Sequence, residues 1–249
     1  MNSVYDDLLQ VKFQQQKKFV VLIDPDKVTP ESLVHTIEIS SRAAVDYFFI
    51  GGSLLVSDTM EECIDVIKSC CDIPVIIFPG SPSQIHSNAD AILLLSVISG
   101  RNSELLIGQH VQSAPALRTS GLEIISTGYI LIDGGTASTA SYLSNTMPIP
   151  HHKNDIAMCT AMAGEMLGMK LIYIEAGSGA SQTVSESMTK EVSQNIEIPL
   201  IVGGGIHTAD KAFSLCKAGA DIIVVGTAAE KDPQMIGIIS NAVHAAALV

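Results

Sequence analysis

Eight short, continuous apolar runs recur along this chain of 249 residues, and their spacing limits the folds open to it. They are FVVLI (19–23), DYFFI (46–50), PVIIF (74–78), AILLL (91–95), EIISTGYILI (123–132), LIYIE (171–175), PLIV (199–202) and DIIVV (221–225). Runs that are apolar at successive positions, not at alternate ones, read as strands covered on both faces, as in a parallel sheet. Helical signals lie between them. Thr29-Pro30-Glu31 offers an N-cap and a proline at the first helical position, with Leu33, Ile37 and Ala44 roughly on one face. Thr208-Ala209-Asp210 opens another helix that closes at Ala218-Gly219. Residues 154–167 carry Ile156, Ala157, Cys159, Ala163, Met166 and Leu167 at spacings that fit one buried stripe.

Eight strands alternating with helices predict an α/β fold, a TIM-type (β/α)8 barrel in one domain over residues 1–249. A doubly wound open sheet gives the same alternation, so the count alone leaves both in play. One connection is abnormal. Only the twelve residues PGSPSQIHSNAD separate Phe78 from Ala91, with two prolines near the start. A helix with two loops barely fits there, so the third helix is expected to be missing or reduced to a turn.

Composition narrows the function. Hydrophobic residues make up 47% and charged ones 16%, with no Trp, so the core must be aliphatic and disorder is not expected. A formal net charge of −12 argues against nucleic-acid binding. An anion would need a local device such as a divalent cation, a helix N-terminus or converging amides. The five cysteines, Cys63, Cys70, Cys71, Cys159 and Cys216, form no CxxC pair and read as reduced core residues of a cytoplasmic protein. MNSVYDDLLQ lacks the basic-then-apolar order of a secretory signal, and the longest apolar stretch, 91–98, is far short of a membrane span of ~20 residues.

In a parallel barrel the chemistry gathers at the C-terminal strand ends. In order these read DPDK, GGS, PGSPS, SGRN, DGGTAS, EAGSG, GGGI and GTAAE. Gly204 and Gly205 after the seventh strand, with Gly226 and Thr227 after the eighth, fall where barrels place a phosphate on backbone amides; tight turns alone would explain the same glycines. Asp24 reads either as a Mg2+ ligand, with Ser53 offering a second oxygen, or as the solvated acid of an Asp-Pro turn. Asp26 reads as a helix cap and Lys27 as its counter-ion or an anion contact. Glu175 closes a buried strand before a Gly-Ser-Gly loop, as a general base or as a carboxylate paired with a loop. Arg101 is a candidate diphosphate contact or an ordinary surface arginine. His151 and His152 are adjacent and lack a third ligand, so surface or loop-anchoring roles are expected of them.

LIDPDK, FIGGS, LLLSVISGRN, YIEAGSG, VGGGI and VGTAAE, in this order, resemble the geranylgeranylglyceryl phosphate synthases, a family that includes bacterial heptaprenylglyceryl phosphate synthases. The resemblance runs from about Phe19 to the end. It implies a Mg2+-dependent prenyltransferase on a modified TIM barrel without a normal third helix. Such an enzyme joins the 3-hydroxyl of sn-glycerol 1-phosphate to a polyprenyl diphosphate, forming an ether and releasing diphosphate. The implied metal ligands are Asp24 and Ser53. The implied glycerol-phosphate site is Tyr173, Ile174, Glu175, Ala176, Gly177, Ser178 and Gly179, with Gly204, Gly205, Gly226 and Thr227. Glu175 matches the acid that activates the hydroxyl. Some bacterial members carry Lys where Leu22 stands here, which points to the LIDPDK branch and a C20 donor. The family also implies a homo-oligomer in transient contact with a bilayer surface. Two other classes use similar loops: a sugar-phosphate isomerase or lyase, and a non-catalytic flavin or phosphate module.

Overall fold

The computed structural model describes residues 3–247. The strands β1 (Lys18–Ile23), β2 (Tyr47–Ile50), β3 (Val75–Ile77), β4 (Ala91–Val97), β5 (Glu123–Leu131), β6 (Leu171–Glu175), β7 (Leu200–Gly203) and β8 (Ile222–Val225) close into a barrel in sequence order. Every neighbouring pair is parallel, and β8 returns to β1 through Lys18↔Ile222 to Val21↔Val225. The closed ring decides between the two architectures that the alternation left open. Each strand feeds two cores. Val20, Phe49, Leu93, Tyr129, Tyr173 and Val224 fill the barrel, while Val21, Phe48, Ile92, Ile130 and Ile174 pack under the helices. That double coverage is why the runs are apolar at every position.

The helices follow the caps. In α2 (Pro30–Arg42) Thr29 and Ser32 form a reciprocal capping box with Pro30 in the first turn. Leu33 and Ile37 are buried as expected, but Ala44 lies beyond the helix in the left-handed region. The helix α8 (Ala209–Ala218) is capped by Thr208 and stopped by left-handed Gly219. Around these stand α3 (Met60–Cys70), α4 (Gln109–Ser120), α5 (Thr139–Ser144), α6 (Asn154–Met166), α7 (Glu186–Ser193), α9 (Thr227–Lys231) and α10 (Gln234–Ala246). The stripe predicted on α6 is corrected. Its buried face is Ala157, Ala161 and Gly164, whereas Ile156, Met166 and Leu167 are exposed. Small residues let the helix lie close, since a Cβ at Gly164 would come within 2.9 Å of Ile98 and 3.0 Å of Ile172. The cysteines carry free thiols, but only Cys63 and Cys216 are buried, so the reading of all five as core residues fails for Cys70 and Cys159. No helix among the described residues is long and apolar enough to cross a membrane.

Two features were not anticipated or only half anticipated. The first is α1 (Val4–Phe13), which lies across the N-terminal end of the barrel. Its Leu8 joins the interior core, and the Glu123 carboxylate at the start of β5 accepts from the amides of Val4 and Tyr5 at 2.7 and 2.9 Å. The second is the β3–β4 connection, which contains turns and no helix, as its length predicted. Here the barrel is also uneven. β3 pairs with β4 only through Ile76↔Ala91 and Ile77↔Ile92, while β4 runs on to Val97 beside β5. Residues 93–97 therefore lack a neighbour on the β3 side.

Candidate active site

Glu175 ends β6 and is 8% exposed. Its Oε1 accepts from the Gly177 amide at 2.9 Å. Burial pushes its pKa up to about 7, against the opposing pull of the nearby Tyr173 hydroxyl and the Gly177 amide. The Tyr173 hydroxyl lies beside the carboxylate but forms no hydrogen bond of proper geometry and has no partner. Two glycines make this arrangement fit. A Cβ at Gly203 would meet Tyr173 Oη at 2.5 Å and Glu175 Oε2 at 2.6 Å. A Cβ at Gly204, whose φ is +85°, would meet Glu175 Oε1 at 2.5 Å and the amide nitrogens of Gly177 and Ala176 at 2.6 and 2.7 Å. The loop glycines thus seat the carboxylate as well as opening backbone to a ligand.

The predicted phosphate residues converge. One pocket is lined by Leu22, Tyr173, Glu175, Ser178, Gly204, Gly205, Gly226 and Thr227, and Ser178 Oγ lies 3.3 Å from Thr227 Oγ1. Ile174 belongs to the strand's outer core and is not at the pocket wall. Ala176, Gly177 and Gly179 form the loop behind it, with Ala176 N bonded to Gly203 O at 3.2 Å. No lysine or arginine lines the pocket. An anion here would be held by amides and hydroxyls. His207, which the sequence reading did not single out, also lines it.

Asp24 sits at the end of β1, where it caps the short 3-10 turn Pro25–Lys27 by accepting from the Asp26 amide. Lys27 Nζ pairs with Asp24 Oδ2 at 2.9 Å and with Glu230 Oε1 at 3.5 Å. This corrects two expectations. Lys27 neutralises Asp24 and not Asp26, and Asp26 is not the cap; it accepts from the amides of Val56 and Ser57 and so ties down the loop after β2. That loop brings Gly52 against Asp24, whose carboxyl would stand 3.5 Å from a Cβ there, and Ser53 follows directly. The donors are hard oxygens: one carboxylate, with the Ser53 hydroxyl next along the loop. Such a set fits Mg2+, which takes one or two carboxylates and fills the rest of its octahedron with water and substrate phosphate. No group of three or more His, Cys, Asp or Glu side chains able to hold a metal exists among the described residues, so a full protein cage is not available.

A second, apolar space begins at Ser53. It encloses about 960 Å3, open mouth included, and is lined by Phe78, Ile85, Ile92, Leu94, Leu95, Leu105 and Leu117 among others. It passes through the gap where β3 stops short of β4. Its polar lining includes Gln109, His110 and Ser113 of α4. Between the groove and the phosphate pocket stand two rings. Tyr129 faces the groove and Tyr173 the pocket, edge to face at 5.3 Å, with Phe78 at 5.9 and 5.4 Å from them. Other candidates fall outside the site. Exposed Arg101 turns back on the Gly100 carbonyl, and His151 anchors its loop on Thr183 O at 2.9 Å.

The sequence profile described as the PcrB family matches residues 12–243. A geranylgeranylglyceryl phosphate synthase of Chitinophaga pinensis is 58% identical over 248 residues, covering all of this chain and 98% of its own. One from Thermococcus kodakarensis is 41% identical, covering 88% of this chain and 87% of its own. Among solved structures, the (S)-3-O-geranylgeranylglyceryl phosphate synthase of Thermoplasma acidophilum in complex with sn-glycerol-1-phosphate superimposes with a TM-score of 0.93 at 34% identity, over 98% of this chain and all of that one. A tryptophan synthase α-subunit from Pyrococcus furiosus, 9% identical with a TM-score of 0.59 over 94% of this chain and 99% of that one, shares the fold alone.

Proposed function

The chain belongs to the PcrB family, and its relatives from Chitinophaga pinensis and Thermococcus kodakarensis are geranylgeranylglyceryl phosphate synthases; from that premise we propose a Mg2+-dependent transfer of a polyprenyl group, geranylgeranyl by first choice, from its diphosphate to the 3-hydroxyl of sn-glycerol 1-phosphate. One observation carries the reading: an apolar groove and a glycine-lined polar pocket meet across Tyr129 and Tyr173, with a buried carboxylate on the polar side. A sugar-phosphate isomerase or lyase would have use for the polar pocket but none for the groove.

The residues divide the work. Amides around Gly177, Gly204, Gly205 and Gly226, with the Ser178 and Thr227 hydroxyls, hold the glycerol phosphate. Holding it there fixes the free hydroxyl toward Glu175 and the tyrosine wall. Glu175, with a pKa of about 7, is ionised in a useful fraction near neutrality and takes the hydroxyl proton as the carbon–oxygen bond forms. The prenyl chain lies along Phe78, Leu94 and Leu117, which exclude water from the reacting carbon. When bound at Asp24 and Ser53, Mg2+ supplies positive charge to the departing diphosphate.

Exposed Ile156 and Met166 on α6, with Leu167 just beyond it, support a homo-oligomer, and exposed Tyr142, Leu143 and Met147 on and after α5, where Leu143 lines the groove, support contact with a bilayer surface. The test of the reaction is incubation of the protein with Mg2+, labelled sn-glycerol 1-phosphate and prenyl diphosphates of several lengths. An ether product is expected, with the C20 donor preferred. Preference for a heptaprenyl donor would change the donor and keep the reaction. Absence of product with every donor would end the proposal.

A further inference from the structure

We infer that Lys27 is a two-position lysine, guarding the Asp24 carboxylate until a divalent cation displaces it and then turning to the diphosphate that the cation brings. The inference rests on Asp24 as the cation ligand proposed above. Three observations lead to it. The 3-10 turn capped by Asp24 ends at Lys27, so the chain itself returns the ammonium to the cap. Nζ is bracketed by two acids, Asp24 Oδ2 at 2.9 Å and Glu230 Oε1 at 3.5 Å, so a second partner waits within reach. The lysine side chain is 48% exposed, whereas Asp24 and Glu230 are 18% and 24% exposed, so solvent leaves the lysine more room to turn than either acid. Asp26 does not compete, because its oxygens are occupied by the loop after β2.

Asp24 Oδ1 accepts from the Asp26 amide and Oδ2 pairs with Lys27, so a cation arriving at Oδ2 sets a double positive charge against the ammonium. Arrival of the cation therefore breaks the Lys27–Asp24 pair and leaves Lys27 on Glu230, which belongs to the α9 helix opening at Thr227 of the phosphate pocket. From there the ammonium can reach the diphosphate that the cation brings, and charge-assisted hydrogen bonds to phosphate oxygens would hold it. Lys27 thus discourages cation binding alone and favours cation with diphosphate together.

The opposite signs make the test. Binding of Mn2+ is measured by loss of the free-ion electron paramagnetic signal, with inorganic diphosphate as the second probe, so no turnover is needed. An exposed pair is worth up to ~1 kcal/mol, or about fivefold. Lys27→Met should therefore bind Mn2+ alone about two- to fivefold more tightly, and should bind diphosphate in the presence of Mn2+ about tenfold more weakly. Glu230→Gln should weaken Mn2+ binding when Lys27 is present and change little in the Lys27→Met background. An unchanged or weaker Mn2+ affinity in Lys27→Met, or shifts of both probes in one direction, overturns the inference. Asp24→Asn separates the two levels: if it retains the Mn2+ affinity of the unaltered chain, the cation reading of Asp24 fails first and this inference with it.

Discussion

Replacing Glu175 by Gln should make the protein more stable and nearly inactive, and the stability gain should depend on pH. The carboxyl's pKa lies at about 7 in the folded chain against its ordinary 4.5, because burial disfavours the charge. The folded state therefore holds its proton more tightly than the unfolded state. Stability from this group is fully present below pH 4.5, falls as pH rises from 4.5 to 7, and is flat beyond. At 1.36 kcal/mol per unit, the 2.5-unit difference costs the folded enzyme about 3 kcal/mol at pH 8. Gln keeps the shape and carries no charge. Its oxygen can accept from Gly177 N, and its NH2 can donate to the Tyr173 hydroxyl, which now has no partner. In a chain of this size about 1 kcal/mol moves Tm by roughly 2–4 °C, so Glu175→Gln should melt roughly 6–12 °C higher at pH 8. The gain should shrink toward zero at pH 4.5. Thermal unfolding of both proteins from pH 4.5 to 8.5 provides the measurement. A variant no more stable than the parent at pH 8, or a gain undiminished at pH 4.5, would refute the idea of a carboxylate held against its solvation. In the same variant kcat should fall by about 10²–10⁴ as expected for loss of a general base, with the KM for glycerol phosphate unchanged or lower.

Two further substitutions probe the walls of the site. Gly204→Ala places a Cβ within 2.5–2.7 Å of the Glu175 carboxylate and two backbone amides at a positive φ, so it should cost about 2–3 kcal/mol by denaturant unfolding and sharply raise the KM for glycerol phosphate. Leu94→Trp narrows the groove where β4 has no β3 neighbour, so long donors should lose kcat/KM by about tenfold or more while glycerol phosphate affinity, read by calorimetry, stays within about twofold.

Sequence and structure agree where chemistry is local and part company where it depends on packing. The strands were readable because a barrel covers both faces, as FVVLI and LIYIE show. The missing helix was readable because twelve residues barely hold a helix with its two loops. Asp24, Glu175 and the two glycine loops stood at strand ends, where the fold concentrates function. The groove was not readable, because it arises from unequal strand lengths: β3 ends at Ile77 while its neighbour reaches Val97. The α1 helix escaped because only Leu8 and Val11 of VYDDLLQVKF are buried. The α6 face was misread because its contact with the barrel needs small residues, while its large ones face outward. In DPDK the residue types signalled an electrostatic site, yet the partners could be assigned only once Val56, Ser57 and Glu230 were seen across the loops.

In the proposed reaction one carboxylate serves a bond formed between two pockets. The most direct measurement is a single-turnover experiment with labelled sn-glycerol 1-phosphate, geranylgeranyl diphosphate and Mg2+, run with the parent enzyme and with Glu175→Gln. Rapid ether formation is expected in the parent and a burst slowed by at least about 10² in the variant, with both proteins binding the glycerol phosphate. Ether formation at equal rates in the two proteins would contradict it.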